Sequence, residues 1–390
     1  MPKDSLMNTY SRFDVVFEKG LGSKVYDVNG KEYIDFVSGV AVNCLGHSNP
    51  AIIKAINDQS NNLMHVSNLY WNTKQLEVAK KLCNYSDHDK VFFCNSGTEA
   101  VEAALKLARK YGKQNGRNQK NEIIYMENSF HGRTLGALAV TGQEKYQKDF
   151  MPLMEGVKSA KFNDIEDIKN KINENTCAVI VEPIQGEGGI LVAQIDFLKE
   201  VKDLCEKYDA LLIFDEIQCG MGRTGSLFAY KKFDVIPDVI CMAKGLGGGF
   251  PIGAVVATQK VASAFVPGDH GSTFGGNPLG CSVALAVLDE LVDKGVVREV
   301  NEKSEYIINK VLELKNKYNV ISKIQGMGLM LGIKLETDKS KVINKCLEKG
   351  LLLVGAGEDV VRIVPALNIS KEEIDKGLNI LDEVLYELSN

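Results

Sequence analysis

Five apolar runs set the main constraint on how this chain can fold. Residues 91–94 (Val-Phe-Phe-Cys), 123–126 (Ile-Ile-Tyr-Met), 178–181 (Ala-Val-Ile-Val), 211–214 (Leu-Leu-Ile-Phe) and 239–243 (Val-Ile-Cys-Met-Ala) are too short for helices and do not alternate with polar residues. Runs of this kind read as strands covered on both faces, the situation of a parallel sheet. Helix-period segments lie between them, and strand-helix alternation implies right-handed crossovers and a mainly parallel sheet. The expected class is α/β, a large sheet sandwiched by helices. At 390 residues the chain exceeds one average domain of roughly 150 residues, which suggests two or three units.

The flanks are organised differently. Residues 24–28 and 32–36 alternate apolar with polar side chains about Asn29-Gly30, a strong hairpin signal. From Pro50 the period becomes helical, with Ile52, Ile53 and Ile56, then Leu76, Val78, Ala79 and Leu82. After Pro278 comes a long helix over 279–291, followed by helices mixed with strands. The expected division is a large unit over 50–285, a smaller α+β unit over 286–390, and an N-terminal segment, 1–49, that joins the small unit.

Two of the apolar runs end in opposite charges. The run at 211–214 leads into Asp215; that at 239–243 leads into Lys244, with Gly245, Gly247, Gly248 and Gly249 behind it. In open α/β sheets ligands collect outside the carboxyl ends of the strands, so both groups should face one crevice. A structural ion pair at the sheet rim is the simpler alternative. The chemical one is that a desolvated lysine forms a Schiff base with the carbonyl of a substrate or of pyridoxal phosphate. An aspartate then has a defined task, because the cofactor withdraws electrons well only with its ring nitrogen protonated.

Composition excludes several other classes. With 45% hydrophobic and 25% charged residues the chain reads as an ordinary globular protein, and a net charge of −5 without a basic patch argues against a nucleic-acid partner. The N-terminus lacks an apolar core and a small-residue cleavage site, and no apolar stretch of about 18 residues occurs, so a cytoplasmic protein away from membranes is expected. The nine cysteines show no CxxC spacing and read as reduced core thiols, Cys219 alone being flagged as a reactive candidate for its place beside Asp215. His47, His65, His88, His131 and His270 are scattered, so no metal site is expected.

Further motifs have two readings each. Ser96, Gly97 and Thr98 lie between a strand and a helix, where backbone N–H groups and the helix dipole suit a phosphate; an ordinary N-cap with Thr98 as capping residue fits equally. Phe130 and Arg133 offer a ring for a flat cofactor and a guanidinium for a carboxylate, or a core phenylalanine beside a surface arginine. Glu182 and Glu187 follow the 178–181 run and face the crevice unless they are solvated loop charges. The glycine-rich 271–278 segment either cages an anion or caps a helix through Asn277.

Together, Asp215-Glu216-Ile217-Gln218, Gly222-Arg223-Thr224-Gly225 and Met242-Ala243-Lys244-Gly245 resemble the signature of the class III (ω-amino acid) aminotransferases of pyridoxal-phosphate fold type I, a likeness that extends over essentially the whole chain. The resemblance implies that Lys244 binds pyridoxal 5'-phosphate covalently and then moves the substrate proton, while Asp215 serves the ring nitrogen. It assigns Ser96, Gly97 and Thr98 to the phosphate, Phe130 to the ring face and Gln218 to the ring hydroxyl. Arg133 and Ser272 would hold substrate, and Tyr10 would line its entrance. Glu187 would pair with Arg362 until 2-oxoglutarate or glutamate arrives. Thr273 would reach the phosphate of a neighbouring subunit, which implies a homodimer with shared sites. Phe130-His131-Gly132-Arg133-Thr134 and the 182–189 segment lean toward members that act on N-acetylornithine, with succinylornithine, ornithine, 4-aminobutyrate and N-acyl-diaminopimelate as alternatives. A nicotinamide-dependent dehydrogenase would need GxGxxG directly after an early strand, whereas the glycines here follow Lys244. A non-catalytic binder of the same cofactor is the remaining alternative.

Overall fold

The five apolar runs all become strands of one seven-stranded sheet in the computed structural model, which describes residues 5–389. In spatial order the strands are Lys90–Cys94, Gly253–Ala257, Val239–Met242, Leu211–Asp215, Thr176–Val181, Glu122–Met126 and Val157–Ala160. All run parallel except Gly253–Ala257, which is antiparallel to both neighbours. The reason for unbroken apolar runs is visible in where alternate residues go. Val179, Val181, Leu212, Phe214, Ile240 and Met242 enter one core cluster, and Ala178, Ile180, Leu211, Ile213, Val239 and Cys241 the other. Neither face of these central strands meets water, so neither can be polar.

Helices Gly97–Gly112 and Ile195–Lys207 pack on the sheet. Pro278–Leu288 is apolar all round because it lies between the helices Pro50–Ser60 and Thr73–Tyr85. Asn277 caps it through the Gly280 N–H at 2.7 Å. The helix expected to reach residue 291 instead passes at Asp289 into a π-helical turn, Asp289–Asp293.

The flanking strands build two smaller sheets. Phe17–Leu21, Lys24–Asp27 and Glu32–Asp35 form a meander about Gly30 (φ +83°), and the late strand Leu351–Leu352 joins its edge in parallel, Leu351 opposite Ile34. An antiparallel sheet holds Ile321–Met327, Met330–Leu335, Val360–Ile363 and Val354–Ala356. It meets the large sheet's loops through Arg223, which is 2% exposed and has no carboxylate partner among the described residues. Its Nη1 donates to the carbonyls of Leu329 (3.1 Å) and Pro365, and Leu329 N–H returns a bond to the Arg223 carbonyl at 2.9 Å. Burial lowers the guanidinium pKa to about 10, which leaves it charged at neutral pH.

The C-terminal helix Lys371–Ser389 passes so close to this meander that a Cβ on Gly377 would lie 2.3 Å from Cζ of the buried Phe36. Helix propensity alone favours Gly→Ala by ~0.5–1 kcal/mol. The clash reverses the sign: Gly377→Ala is expected to cost ~1–3 kcal/mol, read as a lower urea midpoint, and a raised midpoint would refute the packing argument.

Candidate active site

The parallel strands deliver their carboxyl-terminal residues to one rim. Asp215 closes its strand in register with Cys241, two residues before Ala243 and Lys244 leave the next one. Lys244 adopts φ +41°, a left-handed conformation uncommon outside glycine, held by the Gly247 N–H bond to its carbonyl at 3.1 Å. The rim encloses a cavity of about 420 Å³. Ser96, Gly97, Thr98, Phe130, Arg133, Glu187, Asp215, Gln218 and Lys244 all line it.

Lys244 Nζ makes no hydrogen bond or ion pair among the described residues. Burial depresses its pKa; Glu187 and Asp215 pull the other way, and Arg362 adds to the depression. Asp215 is 3% exposed and doubly held, with Oδ1 accepting from Ile217 N–H at 3.0 Å and Oδ2 bonded to His131 Nδ1 at 2.7 Å. Burial opposes charge on His131, but the hydrogen bond and charge of Asp215 override it and raise the imidazole pKa. His131 Nε2 is buried without a partner among the described residues, so Nδ1 is the ring nitrogen that meets Asp215.

Glu182 belongs to the same buried group and is no solvated loop charge. It accepts from Phe130 N–H at 3.0 Å, and burial lifts its carboxyl to about 7, with His131 opposing and Asp215 assisting the rise. Glu187 is drawn below the usual carboxylate range, because Arg362 outweighs the effect of burial. Arg362 Nη1 donates to Glu187 Oε1 at 2.5 Å and Gln218 Oε1 at 2.9 Å. It stands behind the cavity wall, 1% exposed, with Nε unpartnered among the described residues.

The remaining expected positions divide. Ser96, and not Thr98, caps helix Gly97–Gly112: its Oγ accepts from Glu99 N–H at 3.4 Å, and Thr98 is bonded to Thr134 at 2.9 Å. Ser272 sits one bond from the cavity, its Oγ accepting from Asn95 Nδ2 at 3.0 Å. Thr273 is exposed, and Tyr10 is 70% exposed; neither lines the cavity. Cys219, flagged as reactive, is a buried thiol whose pKa burial pushes far up, so it is inert. Sequence reasoning passed over His131, whose partner lies 84 residues away, and gave no role to Glu216, which is buried and anchors the 229–230 backbone with both oxygens.

The family model for class III aminotransferases matches residues 6–385. This chain belongs to that family. It is 64% identical over 384 residues to an acetylornithine aminotransferase of Clostridium acetobutylicum, covering 98% of this chain and 99% of that one. The fold of an ornithine aminotransferase from Toxoplasma gondii, whose structure has pyridoxal phosphate at partial occupancy in its active site, superposes with a TM-score of 0.94 at 32% identity, covering 99% and 94% of the two chains. An N-acetylornithine aminotransferase from Stenotrophomonas maltophilia gives 0.86 at 38% identity, covering 97% of each. Members of the family are pyridoxal-phosphate enzymes, and the chain is a transaminase of that kind.

The buried carboxyl has a consequence for stability. Glu182 titrates at about 7 in the fold against an ordinary 4.5, so between those values the folded state binds the extra proton and stability falls as pH rises. Glu182→Gln cannot titrate. Its urea midpoint relative to wild type is expected to improve steadily from about pH 4.5 to about pH 7 and then level off; parallel profiles would contradict the assignment.

Proposed function

We propose that this enzyme transfers the δ-amino group of N2-acetyl-L-ornithine to 2-oxoglutarate, giving N-acetyl-L-glutamate 5-semialdehyde and L-glutamate, a step of arginine biosynthesis. The observation that carries the reading is two guanidinium groups of unequal status at one cavity. Arg133 has no hydrogen bond or ion pair among the described residues, whereas Arg362 is closed by Glu187. A site built this way accepts one carboxylate at all times and a second only when the pair opens. The choice of an acylated amino donor rests on the 64% identity to the Clostridium enzyme, since backbone likeness alone is as high with an ornithine enzyme.

The residues fit the cofactor. Ser96, Gly97 and Thr98 open a 16-residue helix whose first N–H groups suit a phosphate, and Gly97 has no room for a side chain, because a Cβ there would meet Ile217 at 2.9 Å. Lys244 is buried and unpaired, as the covalent anchor must be. When bound, pyridoxal phosphate supplies an electron sink for negative charge on the amine-bearing carbon. Asp215, with His131 behind it, would serve the ring nitrogen, Phe130 the ring face and Gln218 the ring hydroxyl. Lys244 Nζ, whose pKa burial lowers, would be the base that takes the proton from the δ-carbon. Arg133 binds the amino donor's carboxylate, with Ser272 beside the substrate and Tyr10 at its entrance.

The same reading makes the enzyme a homodimer, with Thr273 reaching the neighbouring subunit's phosphate. Support comes from apolar side chains left open beside the site: Leu69 and Trp71 are 86% and 83% exposed, and Phe274 lies in ring contact with His65. Asn68 ties that segment to the carbonyls of Ser272 and Gly275. A cytoplasmic location agrees with nine unpaired thiols, eight of them buried, and no helix of the described residues is long and apolar enough to cross a membrane.

The holoenzyme is expected to be yellow and to lose its colour on N-acetylornithine without keto acid; a panel with free ornithine, succinylornithine, 4-aminobutyrate and N-acyl-diaminopimelate tests the choice, and a faster loss with another amine would replace it. Lys244→Ala should abolish turnover. Arg362→Ala is expected to raise KM for 2-oxoglutarate and glutamate at least ~10-fold while leaving that of the amino donor within about twofold, because a bidentate carboxylate contact is lost from one half-reaction only. Equal losses in both half-reactions would refute the gate.

A further inference from the structure

We infer that Tyr146 is a positioning residue that presents Arg133 to the substrate's carboxylate. The guanidinium carbon of Arg133 lies 3.9 Å from the Tyr146 ring centroid and 5.5 Å from that of Phe130. These two faces hold it where no hydrogen bond or ion pair among the described residues does. The distinction matters chemically. A guanidinium fixed through its N–H edges has spent the donors a carboxylate needs, whereas one fixed through its face keeps all five free in a planar fork.

The platform is built in. Tyr146 lies on the short helix Glu144–Gln147, outside the cavity lining, and that segment is bonded at one end to the loop that carries Phe130 and at the other to the helix and turn that follow Arg133. Gln143 Nε2 donates to the Ser129 carbonyl at 3.2 Å, and Gln147 Nε2 to those of Leu138 (3.0 Å) and Thr141 (2.9 Å). The Tyr146 ring also meets Phe130 nearly at right angles, 6.1 Å between centroids, so one side chain braces the cofactor-facing ring and the carboxylate-facing cation together. Lys145 Nζ lies 4.9 Å from the same ring and adds a second positive charge nearby.

This inference rests on the assignment of Arg133 to the donor carboxylate, and the test separates the two. N-acetylputrescine is N2-acetylornithine without its carboxylate, so it reaches the same reactive centre without using Arg133. Colour loss of the holoenzyme is measured with each amine. Tyr146→Leu is expected to lower kcat/KM for N-acetylornithine ~10-fold and that for N-acetylputrescine by less than about twofold, with Tyr146→Phe restoring the first. Losses of equal size on both amines, no loss on either, or a phenylalanine variant as poor as the leucine one would each overturn it. Arg133→Ala is the control: an unselective loss there removes the carboxylate assignment itself, and the inference with it.

Discussion

A lysine amine stripped of water and left without a partner is the condition on which the rest of this molecule depends. Lys244 Nζ sits among Glu187, Asp215, Glu182 and Arg362, whose charges pull in both directions, and burial prevails. Glu187 favours the charged amine but is itself bonded to Arg362 at 2.5 Å, and the Arg362 charge adds to the depression of the Lys244 pKa.

Elsewhere on the cavity lining, a second group of charges is buried together. Asp215, His131 and Glu182 are all buried, and their charges act on one another. The 2.7 Å hydrogen bond to Asp215 raises the His131 pKa against the pull of burial. Glu182, its pKa raised by burial, spends its oxygens on the Phe130 and Gly186 backbone and so fixes the loop that carries the ring and the arginine.

What the sequence discloses follows from how each element earns its place. Strands buried on both faces announce themselves as apolar runs, and the charged residues after the 211–214 and 239–243 runs mark the rim where Asp215 and Lys244 line one cavity. Gly253–Ala257 escapes notice because it follows the 245–249 glycines and reads as their continuation, and Val157–Ala160, an edge strand, carries Lys158 and Ser159. Phe17–Leu21 is largely exposed and polar and gives no periodic signal. At the site, the motif residues were legible one by one, but the partnerships were not. Nothing local tells that His131 turns Nδ1 to Asp215, that Ser96 rather than Thr98 closes the helix, or that Tyr146 lies under Arg133. Those are properties of packing, set by residues 3 to 84 positions apart. Substrate choice is less legible still, since enzymes for free and acylated ornithine share this backbone.

Arg223 carries a last implication. A buried cation usually answers to a carboxylate, and its grip then weakens whenever that carboxylate is protonated. Here the acceptors are two peptide carbonyls, one in the hairpin at Leu329 and one at Pro365, three residues beyond Arg362. Peptide oxygens do not titrate. The strut that sets the depth of the Arg362 strand is therefore deaf to acidity, so swings in pH can retune the proton-bearing side chains of the pocket without shifting the frame on which they are mounted.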